Sequence, residues 1–158
     1  MMKKLIMLLL AVCIAVNLLP FGAFAEEVEL NEIRPFAEKQ IACNMAIAEE
    51  GLANPYGANI GKTLLKNHGS DLSYKMRAYA AAASDARMNG CAMPVVINSG
   101  SGNQGLTVSL PVKVYADTYH ISHERMMRAL AVSNLVSIHQ KQYIGSLSAY
   151  CGAVSAAC

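Results

Sequence analysis

The sequence predicts an all-α fold, on three observations. Asn31 to Gly51, Ser73 to Gly90 and Ser122 to Gly145 each read as a helix closed by a glycine. The segment nearest to a strand, LTVSLPVKVYADTYH, carries Pro111, which argues against an interior sheet strand and favours a helix kinked there. With 158 residues, 54% hydrophobic and 15% charged, the chain can bury a sizeable core and is not of disordered composition. The net charge of +2, with Lys and Arg scattered among acids, lacks the basic stripe that a phosphate backbone demands, so nucleic acid is excluded as a partner.

Residues 1–25 form a separate object: Lys3-Lys4, the apolar run Leu5 to Leu19, Pro20, then Ala23-Phe24-Ala25 ahead of Glu26. This is a signal-peptide-like leader, with cleavage expected after Ala25. An uncleaved membrane anchor and a start assigned upstream of an internal piece are the other readings. Residues 26–158 then make up the helical domain. Of the five cysteines, Cys13 belongs to the leader, and Cys43, Cys91, Cys151 and Cys158 are too few and too apolar in setting for a disulfide scaffold. No C-x-x-C pair is present, and the default for each is a small buried hydrophobe.

In the first helical segment Ile41, Met45, Ile47 and Ala48 recur at helical spacing, and Pro35 sits near its start. GANIGKTLLKNHG reads as a short second helix closing at Gly69. Its Gly61-Lys62-Thr63 imitates the end of a phosphate loop, but three residues separate Gly57 from Gly61 where four are needed. In the third segment Ser73 is the expected N-cap, and the Ala run predicts a central helix crowded by neighbours. Ser122 is the expected cap of the next helix, whose amphipathic pattern runs through Met126, Leu130, Val132, Leu135 and Ile138. The closing stretch SLSAYCGAVSAAC is almost wholly small residues, and a helix ending there would leave carbonyls and an apolar face in water, so the domain reads as truncated at its C-terminus.

Gly100-Ser101-Gly102-Asn103-Gln104-Gly105 fits G-x-G-x-x-G, yet no second parallel strand follows and Glu124 stands at a helix start rather than a strand end. A dinucleotide site is therefore excluded. What remains is a loop opening onto a helix, whose backbone N–H groups, with Asn98, Ser99, Ser101, Asn103 and Gln104, could cradle a carboxylate. The alternative is a tight surface turn. His120 and His123 stand at a helix entry without a convergent carboxylate, and His68 and His139 are isolated; surface or capping roles are expected.

EEGLANPYGANIGKTL, AAASDARMNGCAMPVVINSGSGNQGLTVSLPV, RALAVSNLVSIHQK and LSAYCGAVSAAC together resemble the iron–sulfur L-cysteine desulfidase family, related to the alpha chain of bacterial iron–sulfur L-serine dehydratases. The resemblance runs from about Phe24 to Cys158. It implies a helical serine dehydratase alpha-chain-like domain of a cytoplasmic enzyme that uses a 4Fe-4S cluster for β-elimination on a small amino acid. L-cysteine would give pyruvate, ammonia and sulfide, and L-serine pyruvate and ammonia. Three thiolates leave one iron open as a Lewis acid for the leaving group.

By that resemblance Cys151 matches the family's first cluster ligand, while the other two belong to a later C-D-G-A-type segment not found here; Cys158 and Cys91 do not match ligand positions. Arg87, in Ser84-Asp85-Ala86-Arg87, and the loop residues Asn98, Ser99, Gly100, Ser101, Gly102, Asn103 and Gln104 occupy what looks like the substrate pocket. The family's catalytic base is a cysteine of a G-C-T-E-P segment, also not found, so no catalytic residue is assigned and the polypeptide alone is expected to be inactive. Three readings follow: a piece of the desulfidase or dehydratase, a secreted binding module that kept the amino-acid pocket, or an alpha-type subunit that joins a second chain carrying the rest; a second chain or a homo-oligomer is the expected protein partner. The leader discriminates, because a mature N-terminus at Glu26 would support export.

Overall fold

The computed structural model describes residues 30–145 and 151–157, and from Ile33 onward these belong to one compact unit. The leader and Cys158 lie outside the described residues. Among the described residues six helices follow in order: α1 (Leu30–Ala53), α2 (Ile60–His68), α3 (Leu72–Met88), α4 (Gly102–Thr118), α5 (His123–Ile144) and α6 (Gly152–Ala157). Among the described residues the only β pairing is the single bridge between Asn98 and Ser101, so the architecture is all-α. No described helix is long and apolar enough to cross a membrane.

Small residues bring the first three helices together. Ala78, Ala82, Ala83 and Ala86 are buried along one side of α3. Gly51 of α1 and Gly61 of α2 both press on Ala82; a Cβ at Gly61 would stand 2.5 Å from the Ala78 carbonyl oxygen and 2.6 Å from the Ala82 Cβ. The glycine of the false phosphate loop is thus a packing residue, and Lys62 donates to the Ala53 carbonyl at 3.3 Å, closing α1. Gly51 does not stop α1, which continues to Ala53. The cap of α3 is Asp71 rather than Ser73: Asp71 Oδ1 accepts from the Ser73 N–H at 2.7 Å, the stronger acceptor taking the role.

The expected central helix is α3, but α4 is the more enclosed, packed by α3, α5 and α6 and burying Gly102, Gln104, Gly105, Leu106, Val108, Ser109, Leu110, Val114 and Ala116. Ile47, Ala48, Ala83, Ala86, Leu106 and Leu110 form its core contact with α1 and α3. Each large aliphatic there stabilises the fold by about 1.5–3 kcal/mol. Pro111 lies inside α4 as expected and cannot donate to the Thr107 carbonyl. Ser133 of α5 supplies a donor beside this break, reaching the Val108 carbonyl at 2.8 Å.

The predicted face of α5 needs correction. Met126 and Leu130 are buried, but Val132, Leu135 and Ile138 are 58%, 60% and 43% exposed. The inward face is Met126, Met127, Leu130, Asn134, Ser137 and Lys141, and of its polar members Asn134 and Ser137 find hydrogen-bond partners inside. Ser122 occupies the N-cap position but makes no side-chain cap bond.

Candidate functional site

The chain reaches α4 through an extended segment held by a side chain. Asn44 of α1, fully buried, treats Val96 as a strand neighbour would: its Oδ1 accepts from the Val96 N–H at 2.9 Å and its Nδ2 donates to the Val96 carbonyl at 3.3 Å. The same Nδ2 donates to Ser109 Oγ at 2.9 Å and the Gly105 carbonyl at 3.2 Å, tying the segment to α4. Gly105 permits this approach, since a Cβ there would stand 3.0 Å from Ile97 backbone atoms.

Asn98 to Ser101 then forms a reciprocal turn, with N–H to carbonyl distances of 3.1 and 3.0 Å, and both central residues at positive φ, Ser99 at 46° and Gly100 at 79°. Ser101 caps α4, its Oγ accepting from the Gln104 N–H at 3.3 Å. The loop is therefore a tight turn that opens directly onto a helix N-terminus. The G-x-G-x-x-G spacing arises because Gly100 serves the turn and Gly105 the close approach.

Beneath the turn runs a relay of amides whose polarity is set from one end. The Leu130 carbonyl can only accept, so Asn134 presents Nδ2 to it at 2.9 Å, and the Asn134 Oδ1 is an acceptor. That oxygen receives Gln40 Nε2 at 3.1 Å and Asn98 Nδ2 at 2.8 Å, while Asn134 Nδ2 also donates to Gln40 Oε1 at 2.8 Å. Asn98 Oδ1 must then accept, and it does so from Gln104 Nε2 at 3.0 Å and Ser99 Oγ at 3.0 Å. Gln104 Nε2 further donates to Ser137 Oγ at 2.6 Å. The relay thus ends on Gln104 Oε1, one of two buried side-chain N or O atoms without a hydrogen bond among the described residues. Its cover is Gly152, where a Cβ would also stand 3.1 Å from Ser101 Oγ.

The sequence-predicted residues are mostly brought together. Arg87 of α3 lies over the start of α4, its Nη1 donating to Asn103 Oδ1 at 3.1 Å, and a Cβ at Gly102 would meet the guanidinium Cζ at 2.6 Å. Cys151 directly precedes Gly152, which places it beside the turn, and it is exposed. The neighbours of Arg87 diverge: Asp85 Oδ2 accepts from the Ile60 N–H at 2.9 Å at the start of α2, and Ala86 enters the core. The cysteines are not the buried hydrophobes expected, for Cys43 and Cys91 are half-buried. His123 does meet a carboxylate, Glu38 at 3.8 Å, although both are about half exposed, so the pair stays a weak surface one.

Among the described residues no group of three or more His, Cys, Asp or Glu could hold a metal ion. Cys151 alone does not fit a 4Fe-4S cluster, which needs a set of thiolates. A cleft of about 520 Å³ lies elsewhere, lined by Met76, Arg77, Val108, Pro111 and Ser133 among others, and includes none of the turn residues. On the far side of the core, Tyr56 Oη donates to Glu50 Oε1 at 3.0 Å. Its hydroxyl is pushed up to about 12, chiefly by that bond, with the Cys91 side chain and desolvation adding to it.

Gln40, Asn44, Asn134, Ser137 and Lys141 escaped the sequence reading, yet a signal was present. Positions 37, 40, 44 and 47 of α1, and 130, 134, 137 and 141 of α5, keep core spacing with polar residues inserted into an apolar stripe. Buried amides at core spacing imply partners. Lys141 is the one charged side chain among the buried described residues.

The family model described as serine dehydratase alpha chain matches residues 5–158. A UPF0597 protein of Lachnoclostridium phytofermentans is 57% identical over 134 residues, covering 85% of this chain and 32% of the relative. UPF0597 proteins of Desulfitobacterium hafniense and Treponema denticola are 51% and 54% identical, covering 85% and 84% of this chain and 31% and 32% of their own lengths. The chain thus spans about a third of the length of the curated relatives it matches. No solved structure matches it. The chain belongs to the serine dehydratase alpha-chain family.

Proposed function

Within the serine dehydratase alpha-chain family, we propose that this chain carries the amino-acid-binding part of a lyase that eliminates the β-substituent of L-cysteine, releasing pyruvate, ammonia and sulfide. L-serine, which would lose hydroxide instead, is the second reading. The observation that carries the proposal is the convergence at one turn of a guanidinium (Arg87), a helix N-terminus (Gly102 to Gln104) and a pre-aimed unpaired acceptor (Gln104 Oε1). A zwitterion needs this complementarity. Its carboxylate suits the guanidinium and the free N–H groups at the start of α4, and its ammonium can donate to Gln104 Oε1 once Gly152 gives way.

β-Elimination removes the α-proton to a base, expels the β-sulfur as sulfide, and leaves an aminoacrylate that hydrolyses to pyruvate and ammonia. The described residues supply neither a placed base nor a cluster ligand set, so this chain's share is binding and orientation. Where a 4Fe-4S cluster is bound in the complete enzyme, Cys151 is the residue of this chain proposed to hold it.

Binding separates the parts of this reading. L-cysteine should bind the chain in calorimetry, while cysteamine, which lacks the carboxylate, and 3-mercaptopropionate, which lacks the ammonium, should each bind at least about tenfold more weakly, the worth of one charge-assisted bond. Arg87→Gln should weaken L-cysteine about tenfold and leave cysteamine unchanged. Equal binding of all three compounds, or of none, would overturn the proposal. The chain alone should release no pyruvate.

A further inference from the structure

The helix α5 is buried on one side and apolar on the other. Its inward side is Met126, Met127, Leu130, Asn134, Ser137 and Lys141. Its outward side carries Ala129, Val132, Val136, His139 and Tyr143, all exposed, with Val132 58%, Val136 51% and Tyr143 70% accessible. The outward spacing is three, four, three, four, the alternation of a seam that receives another helix. His139 and Tyr143 are already paired edge to face within it, ring centroids 5.3 Å apart, which stiffens its far end.

We infer that this outward seam is an internal contact of the family's larger fold, and that its occupant is a helix from the two-thirds of the relatives' chain that this sequence does not match. Two arguments select that occupant. A helix packed on one face and apolar on the opposite one belongs between two layers, and only one layer is formed by the described residues. The relatives matched at about half identity or more are about three times as long as the matched region, so they contain the material for a second layer.

The test is co-expression of this chain with the part of the Lachnoclostridium phytofermentans relative that lies outside the match. A one-to-one complex is expected by light scattering on a sizing column. Val132→Asp with Val136→Asp should weaken that complex at least tenfold, and Tyr143→Ala should weaken it without adding charge. Because these side chains are exposed here, the far-ultraviolet spectrum and thermal midpoint of the chain alone should not move. Failure to form the complex, or a complex indifferent to both variants, would overturn the inference. So would a dimer of this chain alone that the same variants dissociate.

Discussion

Replacing Asn134 by Leu tests the amide relay at its midpoint. The change removes the acceptor of Gln40 Nε2, the donor to Gln40 Oε1 and the side-chain acceptor of Asn98 Nδ2. Asn98 keeps the Asn134 backbone carbonyl at 3.3 Å, so the damage falls on Gln40, which is fully buried and would lose both of its side-chain hydrogen bonds. Two orphaned polar groups at ~1–3 kcal/mol each give a loss of about 2–6 kcal/mol, a large share of the 5–15 kcal/mol typical of a domain. Urea unfolding at low temperature, followed by circular dichroism at 222 nm, reads this as a fall in midpoint at constant slope.

The double variant Gln40→Leu with Asn134→Leu removes both partners, leaves no orphan on Gln40, and should recover ~1–3 kcal/mol relative to the sum of the single changes. A single-variant loss below about 1 kcal/mol, or strict additivity in the cycle, would refute the relay as a bonded unit.

Other consequences follow from the packing and from Tyr56. Gly61→Ala puts a methyl group against the Ala78 carbonyl and the Ala82 Cβ, where no side chain end can yield, and should cost about 1–3 kcal/mol in the same unfolding assay. Gly152→Ala drives a methyl into Gln104 Oε1 and Ser101 Oγ and should raise amide exchange across Gly152–Ala157 by roughly tenfold, with α1 to α5 unchanged. Titration at 295 nm should show a tyrosine ionising at about 12, absent in Tyr56→Phe. Because the folded value is raised, the folded chain holds that proton more tightly, so this contribution to stability is complete below pH 10 and fades as pH climbs through 12. A Tyr56→Phe variant that loses stability just as steeply over that window would exclude Tyr56 as the source.

The fold was legible where a segment's ends carry their own chemistry. The glycines after α2 and α5 bounded those helices from local rules, whereas α4 starts at Gly102, inside the stretch that reads as loop. Asp71 was missed because two capping residues stand within three positions and only geometry chooses between them. The face of α5 was misread for a different reason. Periodicity counts apolar residues, and this helix has them on both sides, so Val132, Leu135 and Ile138 were taken for core while Asn134 and Ser137 hold that place. The Gly, Ser and Asn cluster announced the loop, but its support, Gln40 and Asn44 on α1 and Asn134 on α5, is joined by pairings 36 to 94 positions apart that no local pattern encodes.

That support also explains why position 104 holds an amide. A glutamate there would offer a charge to a ligand ammonium, and by charge alone it would be the better acceptor. Yet the residue must also donate, to Asn98 Oδ1 at 3.0 Å and Ser137 Oγ at 2.6 Å, and Asn98 Oδ1 is an acceptor because its own Nδ2 is taken by Asn134. A carboxylate would face that oxygen with a second acceptor in a site only 1% exposed, where burying an unpaired charge costs far more than an unpaired amide. Only a group with both a donor and an acceptor can end the relay and still present an oxygen at the turn. Under the proposed function, a ligand ammonium would reach that neutral acceptor once Gly152 gives way, and the charge that the carboxylate requires would come from Arg87 on α3.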